Sequence, residues 1–252
     1  NFVAVQEVFF TDMGVVAYKE AWNYQETLLK DNVDAKALAK INASGSAHIT
    51  QHGSAPETMT GTTHYLLLCE HPPVYTLGKS GHAENVLISE AALSQKGIEY
   101  YQTNRGGDIT FHGPGQIVGY PIIDLEKYYT DIGKYLRNLE EVIILALEHY
   151  GIKGERSPGE TGVWIEPSVK GRERKICAMG VRCSRWVTMH GFALNVNTSL
   201  DYFNYIIPCG IANKQVTSVE KELGYNPGTA SVKAILKTSF EQVFDCALVN
   251  KG

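Results

Sequence analysis

Four segments of the sequence combine reactive or hydrogen-bonding side chains with small residues, so each could form part of a catalytic or binding site. The densest is 105–116, R-G-G-D-I-T-F-H-G-P-G-Q. Its four glycines and one proline allow the backbone to turn sharply and to lie close to a ligand. The interleaved Arg, Thr, His and Gln would supply hydrogen bonds. A tight hairpin with polar tips has the same composition, and both interpretations stay open at this point.

The second segment, 175–183, has the sequence K-I-C-A-M-G-V-R-C. As a strand it would place alternate residues on one face, namely Lys175, Cys177, Met179, Val181 and Cys183. The lysine would then either extend its amine into solvent from the strand end or be held partly desolvated. A partly desolvated lysine can exchange protons near neutral pH, which suits acid–base catalysis.

The other two segments offer a thiol and a small-residue strand. Cys209 lies between Pro208 and Gly210 in I-I-P-C-G-I, so we expect it on a turn, where a thiol reacts more readily than in a strand. A lone cysteine is more often a small buried apolar residue. In H-G-F-A-L-N-V-N (190–197), Gly191 and Ala193 would leave room for an apolar ligand. By itself this segment predicts a strand ending in a polar turn.

Periodicity predicts the elements that position these residues. We expect strands at 2–10, 63–69, 74–77, 100–104, 108–112, 117–123, 162–165, 175–183 and 186–196. Helices are predicted at 14–30, 131–150 and 231–248, the second being the clearest amphipathic pattern. Consecutive strands with few helices between them favour an α+β domain on a mostly antiparallel sheet. The chain is predicted to be a single domain of 1–252, with a surface insertion of small and polar residues at about 31–61.

Composition narrows the functional classes. The formal net charge of −4 gives no reason to expect general affinity for nucleic acid or for anionic membranes. The apolar stretches are too short to span a bilayer, and 1–10 lacks the features of a signal peptide. We therefore expect a cytoplasmic protein with reduced thiols. His48 and His52 lack the glutamate of a zinc protease, and we expect no metal site.

Taken together, six motifs resemble the lipoyl(octanoyl) transferase family in order and approximate spacing. They are H-P-P-V-Y-T-L-G (71–78), R-G-G-D-I-T-F-H-G-P-G-Q (105–116), G-V-W (162–164), K-I-C-A-M-G (175–180), H-G-F-A-L-N-V-N (190–197) and P-C-G-I (208–211). The resemblance covers roughly 2–30 and 62–225; the segment 31–61 departs from the shorter family pattern.

The resemblance implies a fold, a reaction and a set of site residues. The fold would be a mixed, largely antiparallel sheet flanked by helices, as in lipoate-protein ligases and biotin ligases. The enzyme would move an octanoyl or lipoyl group from acyl carrier protein to a lysine of a lipoyl domain in lipoate biosynthesis, without a cofactor. Acceptors would be the lipoyl domains of 2-oxoacid dehydrogenase complexes and the glycine cleavage H protein. Cys209 would carry the acyl group and Lys175 would tune it. The implied substrate-binding residues are Arg105, Gly106, Gly107, Asp108, Ile109, Thr110, Phe111, His112, Ala178, Met179, Gly180, Gly191, Phe192 and Ala193.

Two rival functions remain. A lipoate-protein ligase would share the fold but would activate a free acid with ATP and would not need Cys209. A non-catalytic acyl-binding protein could use the same pocket. Between 170 and 185 the sequence carries six basic residues and one glutamate, which predicts either a docking patch for an acidic acyl carrier protein or a solvated hairpin.

Overall fold

An eight-stranded mixed β-sheet forms the centre of the computed structural model, which describes residues 5–43, 61–207 and 215–250. Within these residues the strands are β1 (Gln6–Val15), β2 (His64–Glu70), β3 (Val74–Leu77), β4 (Glu99–Gln102), β5 (Ile109–His112), β6 (Gln116–Ile122), β7 (Val163–Ile165), β8 (Arg174–Ser184), β9 (Val187–Asn195), β10 (Gln215–Val216) and β11 (Cys246–Asn250). The α-helices are α1 (Tyr18–Ala43), α2 (Glu90–Gln95), α3 (Ile132–Glu148), α4 (Val219–Leu223) and α5 (Thr229–Phe244).

The main sheet has the order β10-β8-β9-β6-β2-β1-β11, with β7 paired to β8. Its central strands β2, β6, β9 and β8 are antiparallel, while β1, β11 and β10 join their neighbours in parallel. Strands β4, β3 and β5 form a separate small sheet. The prediction of an α+β fold on a mixed sheet is confirmed.

Helices cover both faces of the main sheet because each carries an apolar stripe. Helices α3 and α5 pack over the larger core, which includes Leu139, Ile143 and Phe240. Helix α1 covers the opposite face through Ala21 and Leu28. None of the helices in the described part of the chain has the length and apolar character that a bilayer crossing requires.

The structure corrects the predicted end of the first helix, and the first third of the segment 31–61 is helical; whether 31–61 is an insertion stays a prediction. Helix α1 continues to Ala43 instead of ending near Lys30. Two polar residues of this stretch are buried by distant partners, while most of 31–43 stays exposed. Asn32 exchanges hydrogen bonds with the backbone of Thr63, and Lys36 pairs with Asp124 at 2.6 Å. Residues 44–60 lie outside the described residues, as do His48 and His52.

The C-terminal prediction is also corrected. Instead of continuing to 248, α5 ends at Phe244 because Asp245 adopts the left-handed conformation (φ 47°). The following residues form β11, whose Cys246 pairs in parallel with Gln6 of β1. A short apolar run does not distinguish a helix end from a strand, so only the distant partner decides between them.

Candidate functional site

A cavity of about 560 Å³ runs along one edge of β8. Cys177 pairs with Val163 of β7 and with Leu194 of β9, so β7 and β9 lie on opposite edges of β8. On the β7 edge the described pairing ends at Cys177, and the next contact is the hydrogen bond from Gly106 N to Val181 O (2.9 Å). The cavity borders this otherwise open stretch of edge and extends over residues of β9 and β6.

Most of the predicted site residues meet around this cavity. Those in its wall are Arg105, Gly106, Gly107, Asp108, Ile109, Thr110, His112, Lys175, Ala178, Met179, Gly180, Gly191, Phe192 and Ala193. The strand register explains the available space, because the small residues Ala178 and Gly180 pair directly with Ala193 and Gly191. The structure thus brings these residues together, and their role in substrate binding stays a prediction.

Phe111 is absent from the cavity wall. Its ring stacks on Tyr202 with a centroid distance of 4.4 Å and also packs against Tyr75. Alternate side chains of a strand point to opposite faces, so the β5 segment that directs His112 towards the cavity directs Phe111 into the small core behind it. The family pattern therefore assigns to binding a residue that supports the wall from behind.

The loop that carries Arg105 forms one end wall. The guanidinium is buried and donates to three carbonyl oxygens, those of Thr76, Gly106 and Asp108. Five donors in a rigid fork allow arginine to cross-link a loop in this way. The loop backbone also accepts a hydrogen bond, because Gly78 N donates to Asp108 O at 3.1 Å. Its glycines can therefore approach β8 closely while the loop stays fixed.

Neutral polar groups of β5, β6 and β9 line the floor of the cavity. His112 Nδ1 lies 2.8 Å from Gln116 Oε1, and Gln116 Nε2 donates to Asn195 Oδ1 at 2.9 Å. Burial lowers the pKa of His112 to about 3, so this imidazole is uncharged at neutral pH. The floor therefore offers fixed hydrogen-bonding groups without a net charge.

His190 has a strained backbone. Its φ of 57° lies in the left-handed region within β9, a conformation that costs a residue other than glycine about 1 kcal/mol or more. The conformation is held by hydrogen bonds from His190 N to Gln25 Oε1 (2.9 Å) and between His190 Nε2 and Asn104 Oδ1 (2.7 Å). Burial lowers its pKa to about 3. Strain retained in this way is frequent at functional sites.

Lys175 lies at the other end of the cavity, with its Nζ 4.6 Å from the centre of the Trp164 ring. The sequence predicted that Lys175 and Cys177 share a face, and the structure corrects this. The β7–β8 register shifts between the pairs Val163–Cys177 and Trp164–Lys175. This bulge leaves Cys177 in the core and Lys175 against Trp164, because an extra residue reverses the alternation of faces. The half-buried amine is therefore placed at the cavity.

The four cysteines that the structure describes are poorly suited to nucleophilic chemistry, including the half-buried Cys183, whose thiol pKa is raised by burial. Cys69 and Cys177 are fully buried, and desolvation raises the pKa of each thiol. Burial raises the pKa of Cys246 to about 12. Cys209 lies outside the described residues, so its proximity to Lys175 stays a prediction. The chain resumes at Gln215, and β10 pairs Val216 with Lys175.

The basic run at 170–185 does not form one continuous positive surface. Three of its members are neutralised by carboxylates: Arg172 by Glu166, Arg174 by Glu166 and Glu222, and Arg182 by Glu26. The exposed Lys170 and Arg185 lie on either side of β8, whose eleven residues span roughly 30 Å or more. These ion pairs favour the solvated-hairpin interpretation over a docking patch.

Sequence reasoning missed Glu140, which lies within the apolar face of α3 and is fully buried. Its Oε1 accepts a hydrogen bond from Gly162 N at 3.0 Å. Its Oε2 faces Arg156 Nε (3.0 Å) and Arg137 (2.9 Å). The signal was available, because a carboxylate interrupts the helical stripe formed by Leu139 and Ile143. Such a charge must be paired to be buried.

A family model and similar curated proteins both assign the chain to one enzyme family. Residues 17–241 match the family model described as the lipoyl protein ligase A/B catalytic domain. A protein of Christiangramia forsetii named octanoyltransferase is 54% identical over 244 residues, 96% of this chain and 98% of its own length. The octanoyltransferase of Flavobacterium psychrophilum is 52% identical over 239 residues, 94% and 97% of the two chains.

Solved structures show the same fold at low sequence identity. A bipartite lipoate protein ligase from Thermoplasma acidophilum superposes with a TM-score of 0.66 at 16% identity, covering 98% of this chain and 87% of that one. Lipoate-protein ligase A bound with ATP gives a TM-score of 0.65 at 15% identity, with coverages of 99% and 89%. At these identities the similarity concerns the fold alone.

Proposed function

The chain belongs to the lipoyl protein ligase A/B catalytic domain family, and we propose that within it the chain is an octanoyltransferase that acylates a lysine of lipoyl domains. The observation that carries the proposal is the cavity along β8, which has an amine, that of Lys175, at one end and small residues of β8 and β9 along its wall. Such a wall would suit an elongated acyl chain, and the proposal puts the carbonyl end of that chain beside the lysine.

The proposed reaction has two steps. The Cys209 thiolate attacks the thioester carbonyl of octanoyl-acyl carrier protein, the new Sγ–acyl bond forms, and the bond between the carbonyl and the carrier sulfur breaks. The leaving carrier thiolate takes a proton from the Lys175 ammonium, which leaves Lys175 neutral for the second step. A free cysteine has a pKa of about 8.5, so only a few per cent is thiolate at neutral pH. A neighbouring ammonium stabilises the thiolate, and this is the first role proposed for Lys175.

In the second step the amine of the acceptor lysine attacks the acyl-enzyme. Neutral Lys175 accepts the proton that the attacking amine releases, the amide bond forms, and the Cys209 thiolate leaves. Exchange of one thioester for another is nearly isoenergetic, so amide formation drives the sequence forward. The donor is already activated, and no ATP enters the reaction.

Chain geometry supports the proposed pairing of Cys209 with Lys175, which are 34 positions apart in the sequence. Val216, which pairs with Lys175, follows Cys209 by only seven residues. Seven residues span at most about 25 Å when fully extended. The thiol of Cys209 is therefore within this chain distance of a residue that pairs with Lys175.

The rival ligase function is less well supported. The relatives at about 50% identity are named octanoyltransferases, whereas the ligase structures are only about 15% identical. Identity of about 50% over almost the whole chain favours a shared activity, whereas the ligase structures share only the fold with this chain.

Intact-mass analysis tests the proposal. The chain is incubated with octanoyl-acyl carrier protein and then with an unmodified lipoyl domain. The intact masses of the chain and of the lipoyl domain are then measured by mass spectrometry. We expect a transient octanoyl adduct on the chain and a stable one on the lipoyl domain, without ATP. Modification only from free octanoate with ATP would identify a ligase, and binding without any adduct would identify an acyl-binding protein.

A further inference from the structure

The environment of Lys175 is built by the segment that precedes and includes β7. Gly162 lies so close to β8 that a Cβ atom added there would lie 2.5 Å from Cys177 O and 3.7 Å from Lys175 Cε. Two residues later, the Trp164 ring lies under the Lys175 amine at 4.6 Å. The lysine side chain thus passes beside Gly162 and ends over Trp164, so the position of this segment sets the position of the amine.

Glu140 holds this segment from behind. Gly162 has a φ of 112°, a conformation that suits glycine, and its buried N–H donates to Glu140 Oε1 at 3.0 Å. The preceding residues Gly159, Glu160 and Thr161 line the cavity. A buried N–H that loses its acceptor is destabilised, so loss of the carboxylate would favour movement of the turn.

The two oxygens of Glu140 face different partners. Oε2 faces Arg156 and Arg137, which balance the charge, whereas Oε1 faces the Gly162 N–H. Burial raises the pKa of Glu140, while the Gly162 bond and the two arginines act in the opposite direction. Charge balance alone needs only the arginines; the hydrogen bond to the cavity turn is an additional contact.

We propose that Glu140 is a positioning residue that acts through the Gly162 turn to hold the Lys175 amine at the cavity. The inference rests on the proposed function for its catalytic consequence. Its structural part concerns the contacts among Glu140, Gly162 and Lys175, and it can be tested without any transfer reaction.

The structural arm compares Glu140→Leu with Glu140→Gln and with Glu141→Leu. Glutamine keeps an oxygen for Gly162 N–H. Glu141 is the adjacent helix residue; it pairs with the same Arg156 (2.6 Å) and serves as the matched control. The probe is the NMR signal of isotopically dimethylated Lys175, whose shift reports the Trp164 ring. We expect this signal to move in Glu140→Leu and to keep its position in the other two variants.

The catalytic arm measures kcat and KM for octanoyl transfer. A misplacement of about 1 Å can reduce a rate by about a hundredfold, so we expect kcat of Glu140→Leu to fall at least tenfold with KM changed less than about threefold. Glu140→Gln should recover to within about threefold of the wild type. In a double-mutant cycle with Lys175→Met, Glu140→Leu should cause no further loss, because its effect passes through the lysine.

The outcomes distinguish failure of the positioning role of Glu140 from failure of the proposed octanoyltransferase function. A Lys175 signal unchanged by Glu140→Leu, or independent losses that multiply in the double variant, would overturn the positioning role. If the wild-type chain transfers no octanoyl group, the proposed function fails, and the NMR comparison still decides the structural part. A Glu140→Gln variant as inactive as Glu140→Leu would also contradict the inference, because glutamine retains the acceptor.

Discussion

Replacing Gly180 with alanine should disturb the end wall of the cavity by a defined amount. A Cβ atom at this position would lie 2.5 Å from Gly106 O, a distance below the 3.0 Å that real Cβ contacts respect. The obstacle is backbone, so the Arg105–Gly106 loop must retreat by at least half an ångström. That movement strains the hydrogen bond from Gly106 N to Val181 O. Overpacking of this kind costs about 1–3 kcal/mol.

We expect Gly180→Ala to reduce kcat/KM for octanoyl transfer by about tenfold to a hundredfold, because the wall that orients the acyl chain has moved. The assay is the rate of lipoyl-domain octanoylation from octanoyl-acyl carrier protein, with thermal unfolding measured in parallel. Gly61→Ala is the control, since a Cβ atom there meets no atom within 4 Å. Wild-type kcat/KM in Gly180→Ala would refute the assignment of this loop to the substrate wall.

Three further predictions follow from burial and capping. Cys177→Ala should retain the octanoyl adduct and Cys209→Ala should lose it in intact-mass spectra; the reverse pattern would identify Cys177 as the nucleophile. His112 and His190 have pKa values lowered to about 3, so below about pH 6.5 the unfolded state binds protons that the native state does not. The free energy of unfolding should fall by up to about 1.4 kcal/mol per pH unit for each histidine as the pH drops towards their folded values. Denaturant titrations between pH 7 and 5 measure this slope, and a flat profile would contradict it. Asp131→Ala removes the N-cap bond to Lys134 N (2.9 Å) and should lower the free energy of unfolding by about 1 kcal/mol without changing transfer; unaltered stability in the same titrations would contradict the capping role.

Local pattern predicted those parts of the fold whose partners are close in sequence. The clear apolar period of α3 placed that helix within two residues of its observed ends, because the stripe and its cap lie within one segment. Strands β8 and β9 were also found, since they form a hairpin with directly paired small residues. Parts stabilised by distant partners were missed. Lys36 extends α1 by pairing with Asp124, and no local signal contains that information.

In the candidate site, too, some residues could be predicted from the sequence, whereas others depend on distant partners. The resemblance brought the glycine-rich loop and the β8–β9 residues to one site, and the structure places them around one cavity. Strict alternation failed at Lys175, because the β-bulge opposite Val163 and Trp164 depends on how β7 pairs. Phe111 was predicted to bind substrate but does not line the cavity, because a family motif contains residues that support the wall as well as residues that contact the ligand.

The position of the cavity follows from the end of a strand pairing. Strand β7 begins at Val163, opposite Cys177, and beyond Cys177 the described residues pair that edge of β8 with no strand. An open edge of this kind normally has to be covered. Here the Arg105–Gly106 loop covers it with one hydrogen bond at Val181, and the space between this bond and β7 is lined by Ala178 and Gly180. Larger side chains at these two positions would fill that space. The small side chains of β8 and β9 therefore provide the room for an acyl chain beside the open edge of β8, and Lys175 lies two residues before the pairing with β7 ends at Cys177.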